Sequence, residues 1–525
     1  MAASLYFPQG PPVGSFNEIA LEDPYLNVGQ YRAKVLKGLS ALSVKDWVRT
    51  ALKVTGIGIT LLALTDLGGF TVLGITAALS LSMGYYQTRI YAKRSIILPQ
   101  RAESVTPPGE FVGNKVLVTE NVKETVMWQE KLVRSAKHSI ELSGCYCGGE
   151  IFTKFLGIFK ELLNKNPDLQ IRIISHRDLL TSDNWRALKE IQESYGERFF
   201  FLETSRRFQF LPNFRVLDNH TKMLVVDEKY LVTGGSGIFQ ALSKTKEELD
   251  EVSHQSLLDR LMGKGARDMD AVVSGPIAQT VRQEFYHLLA KWDSLMGNPL
   301  SEKALQPVHF TNKELLENRA KIEELENETE RVAADAELAF VCGSPEQGEE
   351  NGCVRVLKKY MASAEKSIYV GNMVLNESEL IAQLALKGSE GLEVNVISNG
   401  FKEDRTFSKR MLTIRNRLNY PVLVENGVNI FEYTVPAHLY HKKVAVFDKK
   451  VTILGSFNIS AKSKDCDDES LLIIDSEKIA QQTIDILKED IRSSQLMGKE
   501  EISKFSSLSK LAGRILNMIF DHRSN

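Results

Sequence analysis

The sequence predicts an α/β protein made of two similar halves, preceded by a hydrophobic helical hairpin. Amphipathic segments such as ETVMWQEKLVRSA alternate with short apolar segments such as HSIELSGCY, and this alternation is typical of an α/β layer architecture. The same order occurs twice, because residues 129–144 resemble residues 357–372, and a motif at 219–237 returns at 440–458. This internal duplication predicts two halves that pack about a pseudo-two-fold axis.

The composition is that of an ordinary globular protein and restricts function only weakly. The chain has 525 residues, of which 43% are hydrophobic and 25% are charged, and its formal net charge is −2. Such a charge gives no overall attraction to nucleic acid or to an anionic membrane. The five cysteines are scattered and form no CxxC pair, so neither a zinc site nor a secreted disulfide framework is predicted. No secretory signal peptide is readable at the N-terminus.

One strongly apolar stretch, residues 54–86, precedes the α/β part. As a single straight helix it would be about 50 Å long, which is too long for a hydrocarbon core of about 30 Å. Asp66, followed by two glycines, divides it into two lobes, and basic residues flank both ends. These features favour a hairpin that inserts into or crosses a membrane, with the catalytic part cytosolic. A buried helical hairpin of a soluble protein is the alternative.

Composition shifts divide the rest of the chain. Residues near 95–115 are rich in Pro and Gly, residues 312–337 are charged and helix-prone, and an apolar stripe at 505–519 predicts a core-facing amphipathic helix, with membrane contact as the alternative. The expected regions, in chain order, are an N-terminal region with hairpin and linker, the first half, a charged helical linker, the second half and a C-terminal amphipathic helix: 1–107, 108–300, 301–335, 336–500 and 501–525.

The repeated motif carries the chemistry. Each copy has a His, a Lys two places later, an Asp five places further and a small-residue turn: His220, Lys222 and Asp227 in the first, and His441, Lys443 and Asp448 in the second. Residues two apart on a strand point to the same face, so each copy presents an imidazole and an ammonium together.

Two such copies suit a double displacement on a phosphodiester. One neutral imidazole is the nucleophile and one imidazolium is the acid, while the lysines stabilise the charge on the phosphoryl oxygens. The motifs lack the spacing of a metal-ligand helix, and the ammonium groups already supply positive charge, so we expect no metal and no cofactor.

The doubled motif resembles that of the phospholipase D superfamily over about residues 115–500, and most of all that of its cardiolipin synthase and bacterial phospholipase D branch. Two further features carry the resemblance: GSFN, ending at Asn458 and followed by Glu469 eleven residues later, and RDMDAVVSGP, which begins at Arg267. The resemblance implies a duplicated α/β/α sandwich, the bilobal phospholipase D fold, with one active site at the interface of its halves.

The resemblance also implies roles for individual residues. His220 would be the nucleophile that forms a phosphohistidine, and His441 would protonate the leaving alcohol and then activate water or an acceptor alcohol. Lys222 and Lys443 would bind the non-bridging oxygens. The remaining roles concern orientation and support: Asp268 and Glu469 would orient the imidazoles, Asp227 and Asp448 would brace the hairpins, and Ser236, Ser456 and Asn458 would support the phosphate.

The first copy departs from the family pattern, because Gly237 stands where the family usually has Asn. Ser236 is a candidate substitute. We therefore expect a membrane-associated enzyme acting on a phospholipid, by hydrolysis or by transfer, that works as a monomer and does not bind nucleic acid. A nuclease-type phosphodiesterase and a degenerate, non-catalytic membrane scaffold are the alternatives.

Overall fold

The computed structural model describes residues 112–144, 147–177, 180–204, 207–209, 215–239, 265–296, 333–345, 347, 351–401 and 406–520. The predicted membrane hairpin at 54–86 and almost all of the predicted linker at 301–335 lie outside these residues. Among the helices that the structure describes, none combines the length and the apolar character needed to cross a membrane.

The first half begins at Asn114 and ends at Met296. Its elements are β1 (Asn114–Val118), α1 (Val122–Ser135), β2 (Ser139–Gly144), β3 (Cys147–Gly148), α2 (Gly149–Lys165), β4 (Gln170–His176), α3 (Ser182–Tyr195), β5 (Phe199–Thr204), β6 (Arg207–Gln209), β7 (Arg215–Asn219), β8 (Lys222–Val226), β9 (Tyr230–Gly234), β10 (Ile238–Phe239), β11 (Gly265–Arg267), β12 (Asp270–Ser274) and α4 (Ile277–Met296).

The second half repeats this order. Its elements are β13 (Ala334–Gly343), α5 (Gly352–Ser363), β14 (Ser367–Asn372), α6 (Ser378–Ser389), β15 (Glu393–Asn399), α7 (Phe407–Asn416), α8 (Tyr420–Glu425), β16 (Asn429–Tyr433), β17 (His438–Tyr440), β18 (Lys443–Phe447), β19 (Val451–Gly455), α9 (Ala461–Asp465), β20 (Asp467–Asp475) and α10 (Glu477–Arg492). After it follow β21 (Ser494–Leu496), α11 (Lys499–Ser503) and α12 (Ser507–Phe520).

Corresponding strands pair in the same order in both halves. The first sheet runs β1–β12–β9–β8–β2–β4–β5 and the second runs β13–β20–β19–β18–β14–β15–β16. In each sheet the first five strands pair antiparallel and the last three pair parallel, as βαβ crossovers require. The N-terminal end of β13 also pairs with β1, so the two sheets are continuous. The predicted α/β class is confirmed for the described residues.

The motif hairpins lie at the centre of this architecture. Met223 and Val225 of β8 face a core cluster shared by both halves, which includes α4 and α10, whereas Leu224 and Val226 face the outer helices of the first half. In the second half, Val444 and Val446 of β18 face the same shared cluster. Because both faces of each strand are buried, the motif strands are apolar throughout rather than alternating.

The predicted apolar stripe of the C-terminal segment packs only in part: Phe505, just before α12, lies against the core of the second half, and the side chains of Ile515 and Ile519 lie outside the described part of the chain. Leu508 and Leu511 are exposed, and α12 instead buries Ala512 and Leu516. The inner side of the helix is the small-residue side, because Gly513 lies against Ile414 of α7, where a Cβ would come 2.9 Å from the carbonyl oxygen. Close backbone approach therefore decides which face packs.

Candidate active site

The two motif histidines are placed by strands that cross between the halves. The strand before His220, β7, pairs parallel with the start of β20, and the strand before His441, β17, pairs parallel with β11. The backbone N–H of His220 donates to the carbonyl of Asp468 at 3.0 Å, and that of His441 donates to the carbonyl of Arg267 at 2.9 Å. Each histidine thus lies beside the residue that precedes the other half's carboxylate.

The carboxylates cross in the same way. Nδ1 of His220 lies 3.0 Å from both carboxylate oxygens of Glu469, and Nδ1 of His441 lies 2.6 Å from Oδ2 of Asp268. All four side chains are buried. A carboxylate at Nδ1 fixes the tautomer with the proton there, which leaves Nε2 of each ring available for chemistry.

Both motif lysines fold back onto their own histidine. Nζ of Lys222 donates to the carbonyl of His220 at 2.8 Å, and Nζ of Lys443 donates to the carbonyl of His441. Lys443 also lies 3.0 Å from Nδ1 and 3.2 Å from Nε2 of the His441 ring. Since the shorter contact of Nδ1 is with Asp268, we assign the Nδ1 proton to that hydrogen bond.

Burial and the lysines keep both imidazoles neutral. Burial lowers the pKa of His220 well below its ordinary value, and the charges of Lys222 and Lys443 act in the same direction. Burial, helped by Lys443 and Lys222 and opposed by Asp268, lowers the pKa of His441 to about 4. Each ring is affected by the lysine of the other half as well as its own, so the two motifs share one electrostatic environment.

Other groups of the site titrate near neutrality. Burial lowers the pKa of Lys443 to about 7, with Lys222 acting in the same direction and Asp268 against it. Burial raises the pKa of Glu469 to about 7, although Lys222 opposes this. For Asp268, burial would raise the pKa, but the influence of His441 and Lys443 outweighs it and the pKa is lowered. Perturbed carboxyl and amino groups clustered in one place are typical of functional sites.

Asp227 and Asp448 bind backbone rather than the histidines. The carboxylate of Asp227 accepts from the N–H groups of Lys137, His138 and Ser139, each at 2.8 Å. The carboxylate of Asp448 accepts in the same way from Glu365, Lys366 and Ser367, at 2.7 to 3.2 Å. Each Asp therefore ties the turn of its hairpin to the start of the adjacent strand, β2 or β14.

The predicted phosphate-supporting residues differ between the halves. Ser456 donates to Glu469 and accepts from the N–H of Ser470 at 2.9 Å, so it joins the carboxylate that faces His220. Asn458 is buried, and its Oδ1 has no hydrogen-bond partner among the described residues. In the first half the N–H of Ser236 donates to Oδ1 of Asp270 at 3.0 Å.

A small cavity in the first half lies where the second half has the side-chain amides of two asparagines. Glycines at positions 144 and 237 line it together with Lys222, Ser236 and Asp270. The strand register matches Gly144 to Asn372, and the spacing from the motif histidine matches Gly237 to Asn458. Gly237, where the family usually has Asn, thus leaves open space beside Lys222. Asp270 borders this cavity, and burial raises the pKa of its carboxyl to about 6.

One cluster in the described part of the chain has the ligand types for a metal: His220, Asp467 and Glu469, whose nearest ligand atoms lie within 4.8 Å of one another. Its charges already have partners. Nζ of Lys462 lies 2.5 Å from Oδ1 of Asp467, and Glu469 contacts both His220 and Ser456. Asp467 is thus paired with an ammonium and Glu469 with an imidazole and a hydroxyl, so the donor set does not fit a metal centre well.

Sequence reasoning missed a buried acid behind the site. Asp490 of α10 accepts from Nε of Arg267 at 2.6 Å and from Nζ of Lys442 at 2.5 Å, and so holds the neighbours of both Asp268 and His441. Asp468 precedes Glu469 as Arg267 precedes Asp268, and it too is held by a helix, because its carboxylate accepts from Lys291 and Trp292 of α4. The available signal was an Asp, the one charged residue on the largely apolar buried face of this helix.

The family model and the curated relatives agree with the motif resemblance. The family described as "Cardiolipin synthase, PLD-like domain" matches residues 357–491. Cardiolipin synthase 1 of Staphylococcus epidermidis is 31% identical over 147 residues, which are 28% of this chain and only 29% of that protein. A cardiolipin synthase of a Geobacillus species is 21% identical over 474 residues, 84% of each chain. Among solved structures, phosphatidylserine synthase of Haemophilus influenzae is 15% identical with a TM-score of 0.49, over 77% of this chain and 92% of that one.

Proposed function

Since this chain is a member of the phospholipase D superfamily close to the cardiolipin synthases, we propose that it cleaves a phospholipid phosphodiester and transfers the phosphatidyl group. The acceptor is water, as in a phospholipase, or an alcohol, as in a cardiolipin synthase. The observation that carries the proposal is the pair of imidazoles, each held by the other half's carboxylate and each affected by both lysines.

In the first step, Nε2 of His220 attacks the phosphorus atom and the bond to the leaving alcohol breaks. A neutral imidazole is required, and the lowered pKa of His220 supplies it across the physiological range. The developing charge on the non-bridging oxygens is stabilised by Lys222 and Lys443. His441 gives its proton to the leaving oxygen. A bound anionic phosphodiester offsets the lysine charges that lower the pKa of His441, so substrate binding favours the imidazolium form.

In the second step, the neutral His441 accepts a proton from water or from the acceptor alcohol, whose oxygen attacks the phosphohistidine. The bond between phosphorus and His220 breaks, and the imidazole returns to its starting state held by Glu469. The same two histidines thus serve both displacements, His220 as nucleophile and then leaving group, and His441 as acid and then base. Because both histidines and both carboxylates belong to one chain, a monomer suffices in this scheme.

The test is an assay of the purified full chain with labelled phosphatidylglycerol, phosphatidylcholine and single-stranded DNA. We expect phosphatidate from hydrolysis or cardiolipin from transfer, and no product with His220→Ala. Cut DNA with intact lipid would contradict the lipid substrate and favour a nuclease. No product from any of the three, in a chain whose circular dichroism is that of a folded protein, would favour a scaffold.

A further inference from the structure

The outer face of α12 is apolar and basic at once. Leu508 is 60% exposed and Leu511 is 49% exposed, and they lie three positions apart on the same side of the helix. Lys510 and Arg514 are exposed on this helix, and no Asp or Glu occurs within Ser507–Phe520, whereas Lys504 just before it is paired with Glu500 at 2.8 Å. In a chain whose net charge is −2, this segment is a locally cationic surface that displays leucines to solvent.

The inner face fixes this orientation. Ala512 and Leu516 pack against Ile414, and Gly513 allows the close approach to α7. Nε of Arg415 and Nδ2 of Asn376 both donate to Oδ1 of Asn517, at 2.9 and 3.1 Å. A helix held by hydrogen bonds and close backbone contact on one side keeps its leucines on the other.

The same contacts connect α12 to the predicted phosphate support. The N–H of Asn376 donates to the carbonyl of Ile459 at 2.7 Å, and Ile459 directly follows Asn458. Two hydrogen bonds therefore separate Asn517 of the helix from the residue next to Asn458. A surface that binds α12 would accordingly be held close to the second motif.

We propose that the outer face of α12 docks on an anionic lipid bilayer, with Leu508 and Leu511 entering the interface and the basic side chains contacting lipid phosphates. This inference rests on the proposed function, since a phospholipid substrate lies in a bilayer. An amphipathic helix with a basic polar face binds in the interface plane by apolar burial and electrostatic attraction together. A second copy of the chain, and the chain's own apolar segment 54–86, are the competing occupants.

The test is hydrogen–deuterium exchange of the full chain with vesicles of phosphatidylcholine alone or mixed with phosphatidylglycerol. We expect peptides within 507–520 to gain protection with the mixed vesicles and markedly less with phosphatidylcholine alone. Leu508→Asp combined with Leu511→Asp should abolish the gain. The matched control is Leu386→Asp on α6, where the leucine is also 49% exposed, and this variant should keep it. Because all three leucines are exposed, the variants should fold like the unaltered chain, and their thermal unfolding midpoints check this.

A kinetic measurement supplements the exchange data. The ratio of the rate on mixed vesicles to the rate on a dispersed short-chain phospholipid should fall about tenfold or more in the double variant, because two leucine contacts with the interface are lost. No vesicle-dependent protection, or equal protection in the double variant, would overturn the inference. Protection that is present without vesicles and lost on dilution would assign the face to a second copy of the chain. Protection without vesicles that is shared with peptides of 54–86 would assign it to that segment. Protection in a chain that releases neither phosphatidate nor cardiolipin would contradict the proposed function and leave this surface standing.

Discussion

At the scale of single residues, Lys443 and Glu469 balance the charge of the site. In the proposed mechanism, Lys443 binds an anionic phosphate only while it is an ammonium, and Glu469 accepts the hydrogen bond from Nδ1 of His220 best while it is a carboxylate. Burial brings the pKa of each to about 7 from opposite sides. The active form of the free enzyme therefore requires one group protonated and the other ionised.

The pH dependence follows from these two groups. On an activated ester such as phosphatidyl p-nitrophenol, whose leaving group needs no proton from His441, we expect kcat/KM to be bell-shaped with its maximum near pH 7, because Glu469 loses its charge as the pH falls through its pKa and Lys443 loses its charge as the pH rises through its own. In Lys443→Arg the alkaline limb should disappear, since a guanidinium stays charged, although the maximal rate is lower. An unchanged alkaline limb in that variant would assign it to another group.

Gly235 and Ser456 occupy matching positions in the two motifs, and each lies against the orienting carboxylate of its own half, Asp268 or Glu469. A Cβ at Gly235 would overlap the carboxylate of Asp268, whereas Ser456 is accommodated by the longer Glu469 and donates to it. We expect Gly235→Ser to lower kcat about tenfold or more by displacing Asp268 from His441. Combining it with Asp268→Glu should recover part of the loss, so that the two changes are not additive. Additive losses in the double variant would contradict this pairing.

At the scale of elements, each motif hairpin depends on an aspartate in its turn. Asp227 and Glu228 have φ of 52° and 53°, and Asp448 and Lys449 have φ of 53° and 57°. The N–H of Lys229 donates to the carbonyl of Val226, which closes a type I′ turn. Asp tolerates this left-handed conformation better than most residues, and here its carboxylate also binds the adjacent strand.

Removing that aspartate should destabilise the fold. We expect Asp227→Ala to lower the free energy of unfolding by about 2–4 kcal/mol, because three N–H groups, of which that of Ser139 is buried, lose a charged acceptor and Ala is strained at positive φ. Asp227→Asn keeps one acceptor oxygen and tolerates the conformation, so its loss should be smaller. Urea unfolding measures both. Equal losses, or none, would show that the carboxylate is not the brace.

The sequence predicted these elements well where the pattern is local. The alternation of helix and strand and the motif spacing rest on neighbouring residues, and the strands appear where the apolar runs predict them. Two members of the apolar stripe predicted for this segment, Leu508 and Leu511, are exposed, because the close contact at Gly513 turns the face of Ala512 and Leu516 inward. Periodicity identifies an apolar face but not the contact that outweighs it.

At the scale of the whole molecule, the halves exchange their orienting carboxylates. Asp268 of the first half holds His441, and Glu469 of the second half holds His220. Neither half contains a complete histidine–carboxylate pair, so the site forms only when the halves pack through their shared core. The sequence predicted all four residues but not this exchange, since the β7–β20 and β11–β17 pairings join residues 249 and 173 positions apart, distances at which spacing carries no information.

This exchange has a kinetic consequence. On an activated ester such as phosphatidyl p-nitrophenol, whose leaving group needs no acid, Asp268→Ala should slow breakdown of the covalent intermediate, as a change at His441 does. Glu469→Ala should instead slow its formation, as a change at His220 does. Rapid-quench measurement of p-nitrophenol separates the two: a burst followed by slow turnover in the first, and slow release without a burst in the second.

The most direct test of the shared site is the same assay on His441→Ala. We expect a burst of about one p-nitrophenol per chain and a phosphatidyl label on the peptide that contains His220, because attack still proceeds while activation of water is lost. The label should be absent in His220→Ala. Release without a burst, or a label on any other residue, would contradict one site built from both halves.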